Sequence, residues 1–411
     1  MEMKFPSADR NKVVFPKFEY IDKNKTYPMM YSTQDVSKLT EHRIARIKTV
    51  KLRDRFHRLT GKNSFRIDHG YGGECIAKIL ETDRGAVGWG LFPGNFWDID
   101  QSRDHLLLGK FVSEVFDPAI GVTDDSVIKF DFALHDLAGV IMGIPVYKML
   151  GDSGVNPVPC YDTMILMDDI SPDSAPRGIA QIAASCAQDY EMGYRDFKIK
   201  IGRAPQWMNE REGIKRDIEV VRLVRDRYPN AKITVDANDA YDPVSIKKFI
   251  DGVSDCNLFW IEEAFREDRE NLQILRAYLD QKSPNTKIAD GESRSDVAFL
   301  LSLAKEGLLD VLQMDIMFFG FTAYRQLLPY IKEAGAIASP HCWGFGIKTN
   351  YCCTLAAGDL SVSEIEGMID ETEGVDDSGY AMLDGYKTVP DAPGFGMKLI
   401  WGLELCENRL K

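Results

Sequence analysis

The sequence predicts an α/β protein, a closed β/α barrel preceded by a smaller α+β domain. Three observations support this: alternating strand patterns before residue 90, a strand–helix rhythm after about Val158, and ionisable residues at successive strand ends. The chain has 411 residues, of which 45% are hydrophobic. This length suits about two domains, since one domain usually takes ~100–200 residues.

The first part of the chain predicts an extension and then the α+β domain. Residues 1–43 are polar and show no periodic pattern. From Arg46 to Gly90 apolar and polar residues alternate, and the turn Asp83–Gly85 separates two of the runs, so we expect an antiparallel meander. A helix follows, with one apolar stripe formed by Val127, Phe130, Leu134, Leu137 and Ile141.

The second part predicts parallel strands joined by helices. Amphipathic segments separate short apolar runs, which read KITVDAN, NLFWIEEAF, TKIADGES, LDVLQMDI and AIASPHCW. Repeated strand-then-helix units are typical of parallel sheets. Seven or eight units in about 230 residues fit a closed barrel better than an open sheet. An open dinucleotide-binding sheet would also need a glycine-rich loop after its first strand, and the sequence has none.

Each of six successive strand candidates ends in ionisable residues. In order these are Lys198 with Lys200, Asp236, Glu262, Glu292, Asp315 and His341. A single acid after a strand usually caps a helix or faces solvent. The carboxyl ends of barrel strands, however, converge on one mouth, where barrel enzymes hold their active sites. The ordered series therefore predicts a catalytic cavity.

Three clustered carboxylates predict a metal site. Asp236, Glu262 and Glu292 would repel each other unless protonated or bridged by a cation. An all-oxygen ligand set suits Mg²⁺, which keeps coordination positions for substrate oxygens. A cation facing a substrate carboxylate stabilises the enediolate that forms when the α-proton leaves.

Bases are predicted on two sides of this site. Lys198 and Lys200 are two residues apart on a strand and point to the same side. One can bind a carboxylate oxygen, and the other can act as a base whose pKa is lowered by its charged neighbour and by the cation. His341 is a second candidate base, which Asp315 could orient.

These motifs resemble the enolase superfamily, and its mandelate racemase subgroup in particular. The segments that carry the resemblance are DFALHDLAGVIMGIPVYKMLG, FKIKIG, VDANDAY, WIEEAF, ADGES, SPHCWG and VPDAPGFGMKL. The resemblance implies a modified TIM barrel, (β/α)7β, under a capping domain. It places the extension at 1–43, the capping domain at 44–156 plus 385–411, and the barrel at 157–384.

The resemblance also implies residue roles. Mg²⁺ would be held by Asp236, Glu262 and Glu292, Lys200 would be one base, and the His341–Asp315 dyad the other. Substrate would be bound by Lys198, Asn238 and Glu366, with Glu364 as the alternative to Glu366. Members resembling muconate-lactonising enzyme or dipeptide epimerases carry a lysine on the sixth strand. This chain has none between Asp315 and Gly320, so those activities are disfavoured.

Within this family the sequence favours dehydration of an acid sugar, an aldonate or aldarate, to a 2-keto-3-deoxy acid. The reason is a charged capping segment, which offers Arg53, Arg55, Arg58, Lys62, Arg66 and His69 to a polar substrate. Racemisation or epimerisation of a 2-hydroxy acid is the alternative. A non-catalytic barrel relative and a metal-dependent hydrolase are alternatives of other classes.

Composition limits the partners. The net charge of −13 argues against nucleic acid, whose affinity depends on basic contacts to phosphate. No run of about 18 apolar residues predicts a membrane helix, and no secretion signal is evident. The eight cysteines form no CxxC pair, which predicts reduced thiols in a cytoplasmic protein. We expect a small-molecule carboxylate substrate, and the resemblance implies a homo-oligomer.

Overall fold

The computed structural model describes residues 31–93, 103–171, 177–293 and 296–400. Most of the predicted extension, and the end of the predicted capping segment after residue 400, lie outside these ranges. The first described element is the short helix α1 (Thr33–Lys38), which begins with a capping box at Ser32.

An antiparallel sheet forms the N-terminal unit. Its first strands are β1 (Ile44–Thr60), β2 (Gly70–Thr82) and β3 (Val87–Leu91), followed by the short hairpin β4 (Phe116–Asp117) and β5 (Gly121–Val122) and the helices α2 (Asp131–Met142) and α3 (Val146–Leu150). Helix α2 packs directly on β3 through two glycines. A Cβ at Gly88 would lie 2.4 Å from Leu137 Cα, so only glycine permits this close approach.

Eight parallel strands form the second unit. They are β6 (Val158–Ile165), β7 (Phe197–Lys200), β8 (Ile233–Asp236), β9 (Trp260–Glu262), β10 (Lys287–Asp290), β11 (Val311–Leu312), β12 (Ile337–Ala338) and β13 (Ile365–Gly367). The helices of this unit are α4 (Ile179–Glu191), α5 (Glu210–Arg227), α6 (Ser245–Val253), α7 (Arg269–Lys282), α8 (Val297–Lys305), α9 (Ile316–Phe319), α10 (Phe321–Glu333) and α11 (Gly346–Gly358).

These strands close into a barrel. Strands β6 to β12 pair in sequence order, and β13 returns to pair with β6. A parallel bridge between Ala338 and Val362 joins the β12 side to the chain just before β13. Seven helical crossovers link eight strands, because the single-turn α9 and α10 share one crossover. The prediction of a modified (β/α)7β barrel is confirmed.

Strand alternation sets which side chains reach the barrel interior. On β8, Ile233 and Val235 join the large core cluster between strands and helices. Thr234 and Asp236 alternate with them and are also buried, so they lie on the opposite face of the strand. A small separate cluster of Tyr161, Trp260, Ala289 and Val311 fills the interior. It forms the floor beneath the strand ends.

After β13 the chain returns to both units. The returning strands are β14 (Asp370–Thr372), β15 (Val375–Asp376), β16 (Met382–Leu383), β17 (Tyr386–Lys387) and β18 (Lys398–Leu399). Strand β14 already pairs with β1 in the N-terminal sheet, with Asp54 opposite Thr372. Strand β17, in contrast, pairs with barrel strand β6. The returning segment therefore contacts both units, and the predicted boundary at residue 385 stays a prediction.

Two further sequence predictions concern thiols and membranes. The seven cysteines in the described ranges are free thiols, and six of them are buried; Cys406 lies outside those ranges. None of the helices in the described residues has the length and apolarity required to span a bilayer.

Candidate active site

Three carboxylates meet at the carboxyl ends of neighbouring barrel strands. Asp236 ends β8, Glu262 ends β9, and Glu292 lies in the loop after β10. Each offers one oxygen, and these oxygens lie within 4.8 Å of one another. Asp236 and Glu262 are completely buried, so water cannot screen their mutual repulsion.

The electrostatics of this cluster fit a dication. Burial, together with Asp236 and Glu292, raises the pKa of Glu262 to about 7 although Lys198 lowers it. Glu292 Oε2 is buried and accepts no hydrogen bond from a described residue. An unsatisfied carboxylate oxygen beside two others is the donor set that Mg²⁺ accepts. The three residues therefore fit the predicted metal.

Glu262 is also held by the barrel interior. Lys198 Nζ lies 2.8 Å from its Oε1, while Trp260 Nε1 and the Gln313 amide donate to its Oε2 at 3.0 and 2.9 Å. These partners fix one orientation of the carboxylate. The sequence reasoning missed Trp260 and Gln313, although each is next to an outward-facing apolar residue, Ile261 on β9 and Leu312 at the end of β11.

Both lysines of β7 point into the site. Lys198 lies between carboxylates, 2.8 Å from Glu262 and 2.5 Å from Glu366. Lys200 contacts Asp236 directly and donates to Asn238 Oδ1 at 3.1 Å. The sequence reasoning expected a base with a lowered pKa. Among the protein groups, burial lowers the pKa of Lys200, but the Asp236 carboxylate outweighs it and raises the pKa. The lowering by a bound cation stays a prediction.

Asn238 connects Lys200 to the neighbouring strand and to the N-terminal unit. Its backbone adopts a positive φ of 43°, and its side-chain amide donates to Glu263 Oε2 at 3.2 Å. Ser64, from the loop between β1 and β2, donates to the Asn238 carbonyl at 3.1 Å. This loop therefore lies over the mouth of the barrel.

His341 and Asp315 form a hydrogen-bonded pair on the far side of the carboxylates. His341 Nδ1 lies 2.8 Å from Asp315 Oδ2, and Nε2 lies 3.4 Å from Glu292 Oε2. Burial lowers the pKa of His341, but Glu292, Glu366 and Asp315 raise it to about 9. With Nδ1 held by Asp315, Nε2 faces the metal cluster.

The structure separates the two glutamates near β13. Glu366 is completely buried in the site, where it accepts from Thr163 at 2.7 Å and from the Cys342 amide at 2.6 Å. Glu364 instead pairs with Lys232 at 2.6 Å, away from the cluster. Despite burial, Lys198 and His341 lower the pKa of Glu366. Glu366 is therefore an ionised acceptor here.

Three arginines expected to meet a substrate are occupied elsewhere. Arg58 is bound by both carboxylate oxygens of Asp189 on α4. Arg53 pairs with Glu74 and Arg55 with Glu373. The prediction that these three arginines line a polar pocket is wrong, because Arg53 and Arg55 lie on the exposed face of β1, whereas Arg58 lies on the opposite face and binds α4.

His69, from the same segment, does reach the mouth. Its ring contacts Trp343, two residues after His341, with centroids 4.4 Å apart. Its Nδ1 lies 2.7 Å from the Gly61 carbonyl, which can only accept, so Nδ1 carries the proton. Burial, with Arg66 and Lys200 nearby, lowers the pKa of His69 to about 4. Nε2 of this neutral ring is an acceptor.

Comparison with known proteins gives a consistent result. A family model described as Enolase C-terminal domain-like matches residues 181–402, more than half of the chain. A galacturonate dehydratase from Geobacillus sp., solved with D-galacturonate and 5-keto-4-deoxy-D-galacturonate, is 32% identical. That alignment covers 88% of this chain and 95% of that chain, with a TM-score of 0.80. The chain belongs to the enolase superfamily.

Other superfamily members extend this result. A mandelate racemase/muconate lactonizing protein from Geobacillus sp. Y412MC10, complexed with magnesium and tartrate, is 31% identical over 88% of this chain and 93% of its own, with a TM-score of 0.81. These neighbours confirm the mandelate racemase type within the superfamily.

Curated superfamily members match over shorter stretches. A hydrophobic dipeptide epimerase from Enterococcus faecalis is 28% identical over 60% of both chains. A putative L-rhamnonate dehydratase from Caldivirga maquilingensis is 25% identical over 66% of both chains. The chain thus spans about 60 to 66% of the length of these curated relatives.

Proposed function

We propose that this protein is a Mg²⁺-dependent dehydratase of acid sugars, which removes the proton next to a carboxylate. The observation that carries the proposal is the placement of Lys200 and His341 on two sides of the Asp236, Glu262 and Glu292 cluster. When bound by these carboxylates, Mg²⁺ supplies positive charge that stabilises the substrate carboxylate as the α-proton leaves.

In this proposal the chain's own residues move two protons. Lys200 removes the α-proton, a step that requires its amine to be neutral, so the attraction of Asp236 for its ammonium form has to be weakened. The C–H electron pair is first held in the enediolate of the carboxylate group. It then forms the carbon–carbon double bond to the next carbon as the C–O bond there breaks. His341 donates its Nε2 proton to the departing hydroxyl, which leaves as water. The resulting enol becomes the keto acid.

Three further residues bind the substrate or hold the lysines that act on it. The Lys198 ammonium faces the substrate carboxylate, and Glu366 holds Lys198 in place as an ionised acceptor. This modifies the predicted role of Glu366, because an ionised carboxylate has no proton to donate to another carboxylate. Asn238 orients Lys200 through its Oδ1.

Polar substrates are favoured by the cap and by the relatives. A neutral His69 with Nε2 as an acceptor suits a hydroxyl donor better than an aromatic ring. A dehydratase at 32% identity was solved with D-galacturonate and its keto-deoxy product. The proposed substrates are therefore uronic, aldonic and aldaric acids, with D-galacturonate as the first compound to test.

The test is solvent exchange combined with product formation. Purified enzyme with Mg²⁺ is incubated in heavy water with a panel of these acids and followed by proton NMR. We expect loss of the α-proton signal and appearance of a keto-deoxy acid for at least one compound. Lys200→Ala should abolish both signals, whereas Lys232→Ala, which alters a lysine paired with Glu364 outside the site, should leave them unchanged.

Other outcomes would replace the proposal. Exchange with inversion at the α-carbon but without a keto acid would identify a racemase or epimerase. A dipeptide epimerase is among the relatives, but the chain has no lysine in the sixth-strand segment from Val311 to Gly320. Hydrolysis of an ester or amide would favour a metal-dependent hydrolase, and no reaction with any acid would favour a non-catalytic relative.

The remaining features are proposals of the same kind. We propose that residues 44–156 act as a capping domain, joined by the β14 segment and by 385–411, over a barrel that begins near residue 157. The cytoplasmic location, the homo-oligomer and the absence of nucleic-acid and membrane partners stay predictions.

A further inference from the structure

A buried lysine lies behind the His341–Asp315 pair. Lys348 is in the first turn of α11, every residue of which is buried, and only 6% of its surface is exposed. Its Nζ donates to Asp315 Oδ2 at 2.8 Å and to the Trp343 carbonyl at 2.9 Å. Such a charge is costly to bury unless its partners are fixed.

The hydrogen bonds of Asp315 are fully occupied. Its Oδ1 caps α9 by accepting from the backbone amides of Met317 and Phe318 at 2.8 and 3.1 Å. Its Oδ2 accepts from His341 Nδ1 and from Lys348 Nζ, both at 2.8 Å. One carboxylate oxygen therefore joins the histidine and the lysine.

Lys348 also holds the segment that carries His341. The Trp343 carbonyl is two residues after His341, so a single ammonium group contacts both the carboxylate that orients the imidazole and the backbone beside it. Without Lys348, Asp315 would keep the α9 cap and the backbone bridge that joins it to His341, but its Oδ2 and the Trp343 carbonyl would lose the ammonium group that they share. The Asp315 carboxylate and the loop after His341 would then be held less firmly.

We propose that Lys348 is a positioning residue that aligns His341 as the acid for the departing hydroxyl. This inference rests on the proposed function. Lys348 touches neither the carboxylate cluster nor any group on β7, so it acts on the His341 side of the site and leaves the Lys200 side intact. Loss of an outer partner of this kind typically reduces activity by about 10–100-fold.

The first test measures exchange and dehydration separately. In Lys348→Met we expect dehydration to fall by about 10–100-fold while α-proton exchange through Lys200 and the KM stay within a factor of about two. The control is Lys387→Met, an equally buried lysine on β17 that is 8% exposed and outside the site. Lys387→Met should lower the rates of α-proton exchange and dehydration by the same factor, or it should change neither rate. An equal loss of exchange and dehydration in Lys348→Met would overturn the proposal.

The second test uses the cavity beside Lys348. A cavity of about 130 Å³ adjoins this lysine and is also lined by Glu74, Cys75 and Phe345, so a small amine can enter when the side chain is shortened. Added ethylammonium should restore dehydration by Lys348→Ala in a saturable manner and should have no effect on His341→Asn. Absence of rescue in a folded variant would contradict the positioning role.

A structural readout separates this inference from the proposed function. If the parent enzyme acts on no acid, the proposed function fails, and crystal structures of the parent and Lys348→Ala still test Lys348. We expect the distance from His341 Nδ1 to Asp315 Oδ2 to exceed hydrogen-bond range in the variant. An unchanged pair would show that Lys348 only neutralises Asp315.

Discussion

Buried carboxyl groups in this protein differ in protonation because their neighbours differ. Burial raises the pKa of Asp315, but Lys348 and His341 outweigh it and keep the group ionised. Asp54 on β1 has no such cation. Burial and the adjacent Asp370 raise its pKa to about 10, and Thr372 Oγ1 donates to its Oδ1 at 2.7 Å. Asp54 is therefore neutral where β1 meets β14.

The raised pKa of Asp54 beside Asp370 predicts that the stability of the protein depends on pH. An acid whose pKa is raised by folding releases its proton on unfolding at any pH between its unfolded value of about 3.9 and its folded value. Stability then falls as pH rises through this window, by up to about 1.4 kcal/mol per pH unit. In Asp54→Asn the slope of the melting temperature against pH, measured between about pH 6 and pH 9, should be shallower. If the melting temperatures of Asp54→Asn and of the parent had the same slope against pH, Asp54 would not be the group that releases a proton on unfolding.

Removing one carboxylate charge should weaken metal binding. Glu262→Gln keeps the shape of the side chain but removes an anionic ligand, so the Kd for Mg²⁺ measured by calorimetry should rise at least about tenfold, or about 1.4 kcal/mol. Glu364→Gln is the matched control, because Glu364 pairs with Lys232 outside the cluster. If both variants bound Mg²⁺ with the same Kd as the parent, Glu262 would not be a metal ligand.

At the scale of elements, the long strand β1 links the two units. Its pairing with β2 shifts register between Arg55 and Thr60. Arg58 lies in this interval, on the same face of β1 as Phe56 and Thr60. Arg58 binds the Asp189 carboxylate on α4 and the Met164 carbonyl at the end of β6. Burial and Asp189 raise the pKa of the neighbouring Asp162, whereas Arg58 lowers it, so Arg58 also stabilises a second buried carboxyl group.

Arg58→Met should therefore destabilise the protein without changing substrate affinity. Breaking a buried ion pair typically costs about 3–5 kcal/mol, because the remaining charge is left unpaired. Arg55→Met is the control: Arg55 is 73% exposed in its pair with Glu373, and exposed pairs contribute below about 1 kcal/mol. Urea denaturation and KM should be compared. If Arg58→Met instead raised the KM and left the stability unchanged, Arg58 would be a substrate-binding residue.

The sequence was informative where a local pattern determines position. Period-two alternation places Lys198 with Lys200 on one face, and the rule that barrel strands end at one mouth brings Asp236 and Glu262 together. Side chains whose position depends on distant packing were not predictable. A lysine in the first turn of a helix is normally solvated, and Lys348 is buried only because α11 is packed on all sides.

Two other elements escaped prediction for similar reasons. The alternation of β1 places Arg58 on the buried face, but no local pattern shows that this end of the strand packs on α4 and β6. Strand β14 is a polar stretch of three residues with no apolar residue, so nothing local identifies it as a strand. β14 pairs with β1 because it directly follows β13, the last barrel strand, and so its position depends on the folded barrel.

At the scale of the molecule, the carboxylate cluster adds to an already acidic chain of net charge −13. Mg²⁺ binds the folded cluster and not the dispersed residues of the unfolded chain, so the ion should raise the melting temperature. At 100 times its Kd the stabilisation is about 2.7 kcal/mol, and a chelator should reverse it and abolish turnover. Equal melting temperatures with Mg²⁺ and with excess chelator would contradict the metal site.

Glu366 joins the beginning and the end of the barrel, since it lies on β13 and receives hydrogen bonds from Thr163 on β6 and from the Cys342 amide after β12. During synthesis, all three metal ligands emerge from the ribosome before this last strand. A nascent chain stopped at residue 360 would contain every proposed proton-transfer group, yet Lys198 would lack Glu366, one of the three carboxylates with which it forms ion pairs. We therefore expect the chain to become catalytically active only after β13 is synthesised and closes the barrel.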